Sequence, residues 1–521
     1  MFSRLNWYRL SCWILLAVSA GFCTYAFAKQ SPSMDQLDLL VDVRHEILHE
    51  YVEEPDANRV TQSAARAMVE ALEDPYTTYL TPEELEPFDK QIRGTFSGIG
   101  AEVEVNHNQL RIVTPLDDSP AWKAGIMAGD TILEIDNTPL QDLWNKVESD
   151  SLKLREAVKK LQGSQGTKVT LKVRHPGGEE ATLSITRAQI NVPTVRGIRR
   201  NPDGHWNYML DPQQRIGYIR ISQFIEKTAP DVRAALDQLL EQNVRAIILD
   251  LRFNPGGMLE SAVQISNFFL PQGQRIVSVK GRVVPERIEI STGTDTIPPI
   301  PLVVLANEAS ASAAEVVTGA LSDNQRAQFI GTRTFGKGSV QQVHPLESGG
   351  ALKITNAYYY LPNGRNIHRR KNKDTWGVDP ADGFWIPMTP QQTKDMLRAR
   401  RESESGSETQ PNTQPNSQSM TPDRIEKELA DPQLAAALKA SLGFLIDGRW
   451  PAVGQSGSDH LAKQAKRDTL KYQRDMLQER IDQIQKELSA LDTAATQPAS
   501  QPATSVINDS TTTSQPSETA P

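Results

Sequence analysis

The chain has 521 residues, enough for two or three domains, yet only 38% are apolar, so part of it reads as linker or tail. Its 56 Lys and Arg against 64 Asp and Glu leave a net charge of −8 and no basic character, which argues against nucleic acid as a partner. Both cysteines, Cys12 and Cys23, lie in the first 28 residues; a chain processed after that segment has no thiol for catalysis, for a metal site or for a disulfide.

In chain order, Arg4 and Arg9 precede an apolar run from Cys12 to Phe27 and the small-x-small triplet Ala26-Phe27-Ala28. This reads as a signal peptide over 1–28 with a mature start near Lys29 and hence an exported protein, periplasmic or in the cell envelope; an uncleaved membrane anchor is the alternative. Residues 34–93 form an N-terminal helical segment, with Leu37, Leu40, Val41, Ile47, Leu48 and Tyr51 at helical spacing and a second run over Thr61–Leu72. His45-Glu46-Ile47-Leu48-His49 matches the H-E-x-x-H zinc pattern, but no downstream ligand follows, and we read it as the polar face of a helix with no metal.

From 94 to 188 the pattern turns to short strands separated by Gly-rich turns. Phe96-Ser97-Gly98-Ile99-Gly100-Ala101, Ser119-Pro120-Ala121 and Ala124-Gly125-Ile126 through Gly129-Asp130 and Ile135 together resemble a PDZ domain. The bare amides of Gly98, Ile99, Gly100 and Ala101 would receive a C-terminal carboxylate, and the next strand edge would pair with the peptide. Residues 141–160 are longer than the usual connection around the PDZ helix.

Residues 189–390 alternate strand and helix, the rhythm of an α/β core. Strands are expected at Arg215–Ile221, Arg245–Leu251, Ile276–Val279, Leu302–Ala306, Phe329–Gly331 and Leu352–Tyr360, and helices at Pro230–Glu241, Met258–Leu270 and Ser312–Asp323. A Ser/Gln/Pro-rich stretch, 402–421, reads as a disordered linker, 422–492 as a C-terminal helical region, and 493–521 as a disordered tail. Leu470, Leu477, Ile484 and Leu491 recur at sevens, half of a coiled-coil pattern that suits either packing on its own body, self-association or another partner.

Three pieces of the α/β region converge on acyl transfer. Ser312 sits where an apolar strand meets an Ala-rich helix, so that the helix N-terminus favours a developing negative charge. Lys337, between Gly336 and Gly338, is a candidate base once burial lowers its pKa, and Gln341 is the candidate third member that orients the amine. The turn Asn254-Pro255-Gly256-Gly257 ends a buried strand; amides of Gly256 or Gly257, with that of Ala313, form a candidate oxyanion hole. Ser310 is the local competitor, placed before the helix starts.

Arg252-x-Asn254-Pro255-Gly256-Gly257, Ser310-Ala311-Ser312-Ala313-Ala314-Glu315 and Phe335-Gly336-Lys337-Gly338-Ser339-Val340-Gln341 together resemble the carboxyl-terminal processing proteases, the tail-specific serine peptidases. Leu72-Glu73-Asp74-Pro75 and Leu361-Pro362-Asn363-Gly364-Arg365 support the likeness, which covers about residues 35–390. It implies an α/β, crotonase-like cap-and-core protease domain with an inserted PDZ domain, a Ser312–Lys337–Gln341 triad, no cofactor, and cleavage of unfolded or tail-exposed proteins with free C-termini. The basic run His368-Arg369-Arg370-Lys371-Asn372-Lys373 has no obvious counterpart and reads as a solvated loop. A non-catalytic peptide-binding scaffold is the rival reading, against which the complete Ser, Lys, Gln and Gly-Gly set argues.

Overall fold

The structure is a computed structural model. It describes residues 35–93, 95–106, 108–116, 119–127, 129–145, 149–191, 193–201, 205–370, 375–404 and 419–457, with scattered helical positions between 463 and 485. The expected signal segment, the tail, most of the linker and part of the basic run lie outside the described residues.

Two helices open the described chain, α1 (Asp35–Glu50) and α2 (Ala57–Glu70). Asp56 caps α2 by accepting the N–H groups of Asn58 and Arg59, so this helix starts before the position its apolar pattern suggested. Neither buries a large side chain: Leu39, Val41 and Met68 stay more than half exposed. A tight turn leads to β1 (Thr78–Leu80) and α3 (Pro82–Arg93).

The next unit is a sheet ordered β2 (Ala101–Asn106), β3 (Gln109–Pro115), β4 (Thr131–Ile135), β5 (Lys168–Arg174) and β6 (Glu180–Thr186), with helix α4 (Asp150–Leu161) against β2. Ile112, Ile132, Leu171 and Val173 alternate inward to meet Ala157 and Leu161 of α4. β2 is an edge strand, so its outer hydrogen-bonding groups stay available.

The α/β core follows, with β7 (Ile216–Ile221), α5 (Thr228–Glu241), β8 (Ala246–Asp250), α6 (Leu259–Asn267), β9 (Arg275–Gly281), β10 (Arg287–Ile290), β11 (Leu302–Ala306), α7 (Ala313–Asp323), β12 (Gln328–Gly331), β13 (Ser339–Pro345) and β14 (Ala351–Tyr360). Strands β7, β8, β11 and β12 pair in parallel, and β8 and β11 are buried at every position, as parallel strands covered on both faces must be. Ile247, Leu249, Leu302 and Val304 face α5, α6 and α7. β9 leaves this sheet: it joins an antiparallel one ordered β1, β14, β9, β10, to which β13 adds by pairing with β14.

The other face of the parallel sheet has an unexpected cover. Ile216, Ala246, Ile248, Val303 and Leu305 pack on Ile425, Leu434, Ala437 and Leu438, from α9 (Pro422–Leu429) and α10 (Pro432–Asp447), which follow α8 (Pro390–Glu404). Within the expected C-terminal helical region the chain breaks between these two helices at Ala430, whose φ of 50° is left-handed, and Asp431 caps the second helix through the Leu434 N–H. The C-terminal helices thus complete the core of the α/β domain. Past Gln455, the described positions Leu470, Leu477, Ile481 and Ile484 are helical and exposed.

Candidate functional site

Ser312 stands where β11 turns into α7, with φ 56° and ψ −117°. A serine held in that region is strained, and such strain concentrates where a side chain must be presented. The strain is offset by α7's first turn: the Ser312 N–H donates to Glu315 Oε2 at 2.9 Å, while the Glu315 N–H donates to the Ser312 carbonyl at 2.9 Å. Ser312 is almost fully buried beside Tyr359 of β14, and burial pushes the Tyr359 phenol up to about 12. Ser310 is structural: its hydroxyl donates to the Leu251 carbonyl at 2.8 Å and accepts the Asn307 N–H at 2.9 Å.

The turn after β8 is pressed onto this serine. A Cβ added to Gly256 would lie 2.7 Å from Ser312 Cβ and 3.0 Å from Ala313 N; one added to Gly257, whose φ is 140°, would lie 1.9 Å from the Phe224 carbonyl oxygen. Only glycine fits either place. The Gly256 N–H is committed to Asn254 Oδ1 at 2.8 Å, so this amide leaves the candidate oxyanion set. Among the described residues the N–H groups of Gly257 and Ala313 have no acceptor, and these two remain beside Ser312.

Lys337 approaches from the loop before β13. Its N–H donates to Glu315 Oε2 at 2.8 Å, the oxygen that also takes the Ser312 N–H; Glu315 Oε1 accepts the Gly336 N–H at 2.7 Å and the Thr334 hydroxyl at 2.6 Å. One buried carboxylate therefore receives four donors and joins the backbones of Ser312 and Lys337. Burial pushes the Glu315 carboxyl up, and those donors pull against it. Desolvation pushes the Lys337 amine below its ordinary value, helped by Lys353, with Glu315 and Asp74 opposing.

The amine of Lys337 is not bonded to Ser312 in this structure. Its Nζ lies 4.9 Å from the centroid of the Tyr76 ring. Nor does Gln341 hold it: a bulge between Val340 and Gln341 breaks the strand periodicity that would align 341 with 337, and the Gln341 amide donates to the hydroxyls of Ser339 (2.9 Å) and Thr355 (3.2 Å). Its side-chain carbonyl is left on the side away from those two accepting hydroxyls.

Among the described residues the Asp323 carboxylate accepts the Asn363 N–H alone, at 3.4 Å, and it stands apart from the site. His49 Nδ1 lies 2.8 Å from the carbonyl of His45 in its own helix, and no group of three metal-binding side chains occurs among the described residues. In the PDZ-like unit, Gly100 has φ 77° and a Cβ there would meet Ser119 Cβ at 2.5 Å, while the Leu116 N–H donates to the Gly100 carbonyl at 2.9 Å. Two residues on, Glu102 of β2 pairs with Arg196 at 2.7 Å, and Arg196 also binds Glu404 at 2.8 Å, tying the edge strand to α8.

Sequence reasoning passed over Glu315, Tyr76, Tyr359 and Asp431. Only Glu315 carried a legible signal, the Ser-x-x-Glu spacing of a capping box. Asp431 binds Arg252 at 2.7 Å inside the core, opposite Asp250, which holds the same guanidinium at 2.7 Å. This fully buried pair sits at the root of the Asn254–Gly257 turn.

Residues 215–381 match peptidase family S41, and residues 111–175 match a PDZ domain. The carboxy-terminal-processing protease of Bartonella bacilliformis is 34% identical over 384 residues, covering 71% of this chain and 83% of its own. The carboxy-terminal processing protease CtpA of Bacillus subtilis is 33% identical over 352 residues, 68% of this chain and 71% of its own. A solved structure, the photosystem II D1 C-terminal processing protease, aligns with 66% of this chain and 86% of its own at 29% identity and a TM-score of 0.38.

Proposed function

Because the chain belongs to peptidase family S41, among the carboxy-terminal-processing proteases, and is a serine-type peptidase, we propose that Ser312 is its nucleophile and Lys337 its base. The observation that carries this is the shared carboxylate of Glu315, which ties the backbones of those two residues beside the free amides of Gly257 and Ala313. A neutral Lys337 amine takes the Ser312 proton as the oxygen attacks a peptide carbonyl. The oxyanion is received by Gly257 and Ala313, and the ammonium then returns a proton to the leaving amine. Water, activated by the same amine, resolves the acyl-enzyme. Gln341 serves by turning its carbonyl to the amine once Lys337 swings toward Ser312.

Substrate enters through the PDZ domain. The Gly98-Ile99-Gly100-Ala101 loop takes the terminal carboxylate and the free edge of β2 pairs with the tail. We place the protein in the cell envelope on its N-terminal segment, and read the exposed Leu470, Leu477, Ile481 and Ile484 as a self-association face.

The test is a digest of an unfolded protein series differing only in its last three residues. Wild type should discriminate among the tails, and Ser312→Ala should cleave none of them. Undiminished cleavage by that variant overturns the assignment, and indifference to the tail overturns the PDZ role.

A further inference from the structure

Lys337 is anchored at its backbone and loose at its tip. Beyond the bond to Glu315, its flanking glycines admit no side chain: a Cβ on Gly336 would lie 2.5 Å from Trp376 Cδ1, and one on Gly338 2.6 Å from the His368 nitrogen. The amine at the other end makes no hydrogen bond among the described residues and lies over the face of Tyr76.

Tyr76 comes from the turn between α2 and β1, far away in sequence, and it is firmly fixed. Asp74 caps the turn, accepting the Tyr76 N–H at 3.1 Å and the Thr77 hydroxyl at 2.5 Å. Thr77 Oγ1 accepts the Thr355 N–H at 3.0 Å, and β1 pairs with β14 from Thr78–Lys353 to Leu80–Ala351. Thr355 is also the residue to which Gln341 donates. The turn that carries the aromatic ring and the third candidate triad member are therefore both bonded to Thr355 of β14.

We propose that Tyr76 is a positioning residue for the base: its ring face holds the Lys337 ammonium in the resting enzyme and so sets where that amine loses its proton. An aromatic face attracts a cation and has little hold on a neutral amine. The ring thus favours the protonation state that cannot act as a base. Once the ammonium releases its proton to water, the ring's grip lapses and the neutral amine is free to reach Ser312 and take the hydroxyl proton. The other charged groups around Lys337 are Asp74 on the turn, Glu315 on α7 and Lys353 on β14. His368, 6.3 Å from the Tyr76 ring, and Arg369, whose N–H donates to the Gly336 carbonyl at 2.8 Å, flank it from the following loop.

The inference rests on the Ser312–Lys337 reading, and its test separates the two. In the full chain, Tyr76→Phe is compared with 4-fluoro, 3,5-difluoro and 3,4,5-trifluoro phenylalanine at the same position. These substituents weaken the ring face while keeping its shape, and His368 is constant throughout. The readout is kcat/KM against pH on a reduced, alkylated protein substrate. The acid limb should move stepwise to lower pH with fluorination, by about half a unit to one and a half units over the series, and Tyr76→Leu should match its far end. An acid limb that stays put across the series, with Ser312→Ala and Lys337→Met both inactive, overturns the role of Tyr76 alone. Activity in either of those two variants overturns the catalytic reading itself.

Discussion

The carboxylate of Glu315 accepts the N–H of Ser312 at 2.9 Å and the N–H of Lys337 at 2.8 Å on a single oxygen. The proposed nucleophile and base, which come from different loops, are thereby referenced to one buried atom. Glu315→Gln should expose how much this matters. An amide offers one acceptor oxygen, so its NH₂ must face two donors, either Ser312 and Lys337 or Thr334 and Gly336. At about 1–3 kcal/mol for each of the two unpaired buried donors, unfolding by urea should show a loss of roughly 2–6 kcal/mol. Cleavage should fall through kcat more than KM, and a variant with native stability would contradict the four-donor arrangement.

The amine of Lys337 sets the direction of the pH profile. Burial depresses its folded pKa below the unfolded value of about 10.4, so kcat/KM should climb with pH and reach its plateau before that value. The sign for stability is opposite to that of a salt-bridged lysine. Protonation is harder in the folded state, so the buried amine costs stability below its folded pKa and costs nothing above the unfolded one. Lys337→Met should therefore raise the melting temperature at pH 7 while abolishing cleavage, and Lys337→Arg should be inactive at every pH because a guanidinium keeps its proton.

A third expectation concerns the pair Arg252 and Asp431, 179 residues apart in the chain. Removing Asp431 leaves Asp250 alone to balance the buried Arg252 and the nearby Arg400, and breaking into such a buried charge cluster costs about 3–5 kcal/mol. Asp431→Ala also loses the cap on α10 and should unfold at markedly lower urea. Asp250, on the other side of the guanidinium, has a carboxyl held well below the usual range against the pull of burial. The stability it contributes is present above the unfolded value of about 3.9 and is lost as pH falls toward its folded value. Urea midpoints of Asp250→Asn should fall less steeply than wild type between pH 5 and pH 2.

Gly100→Val tests tail capture separately from chemistry. The added side chain would collide with Ser119 and occupy a left-handed conformation at about 1–2 kcal/mol. Discrimination among tails should collapse, with KM raised, while the labelling rate of Ser312 by a small acylating probe stays at the wild-type value. A loss of labelling would place this loop in the chemistry.

The parallel strands and their helices were legible because each is a bounded apolar run; Leu302–Ala306 matches to the residue. Ser312, Gly257 and Lys337 were legible because a strand-to-helix hydroxyl, paired glycines and a flanked lysine are local patterns. What escaped was long-range. Nothing near Tyr76 announces a lysine 261 positions away, as 337 minus 76 gives. Asp431 looked like one acid in a helical stretch, since burial against Arg252 is a property of the folded pair. Gln341 was aligned with Lys337 by strand periodicity, and the bulge at Val340 removed the basis for that alignment.

The cover that α9 and α10 give to the parallel sheet has a consequence for biosynthesis. Ser312, Lys337 and the glycine turn are all translated before Asp431, so a nascent chain holds all the proposed catalytic groups while Ile248, Leu305 and Arg252 still lack their cover. The ribosome must deliver about a hundred further residues beyond Lys337 before the domain can close. Until they arrive, one face of the parallel sheet stays bare, and the Arg252 guanidinium at the root of the glycine turn lacks one of its two buried carboxylates.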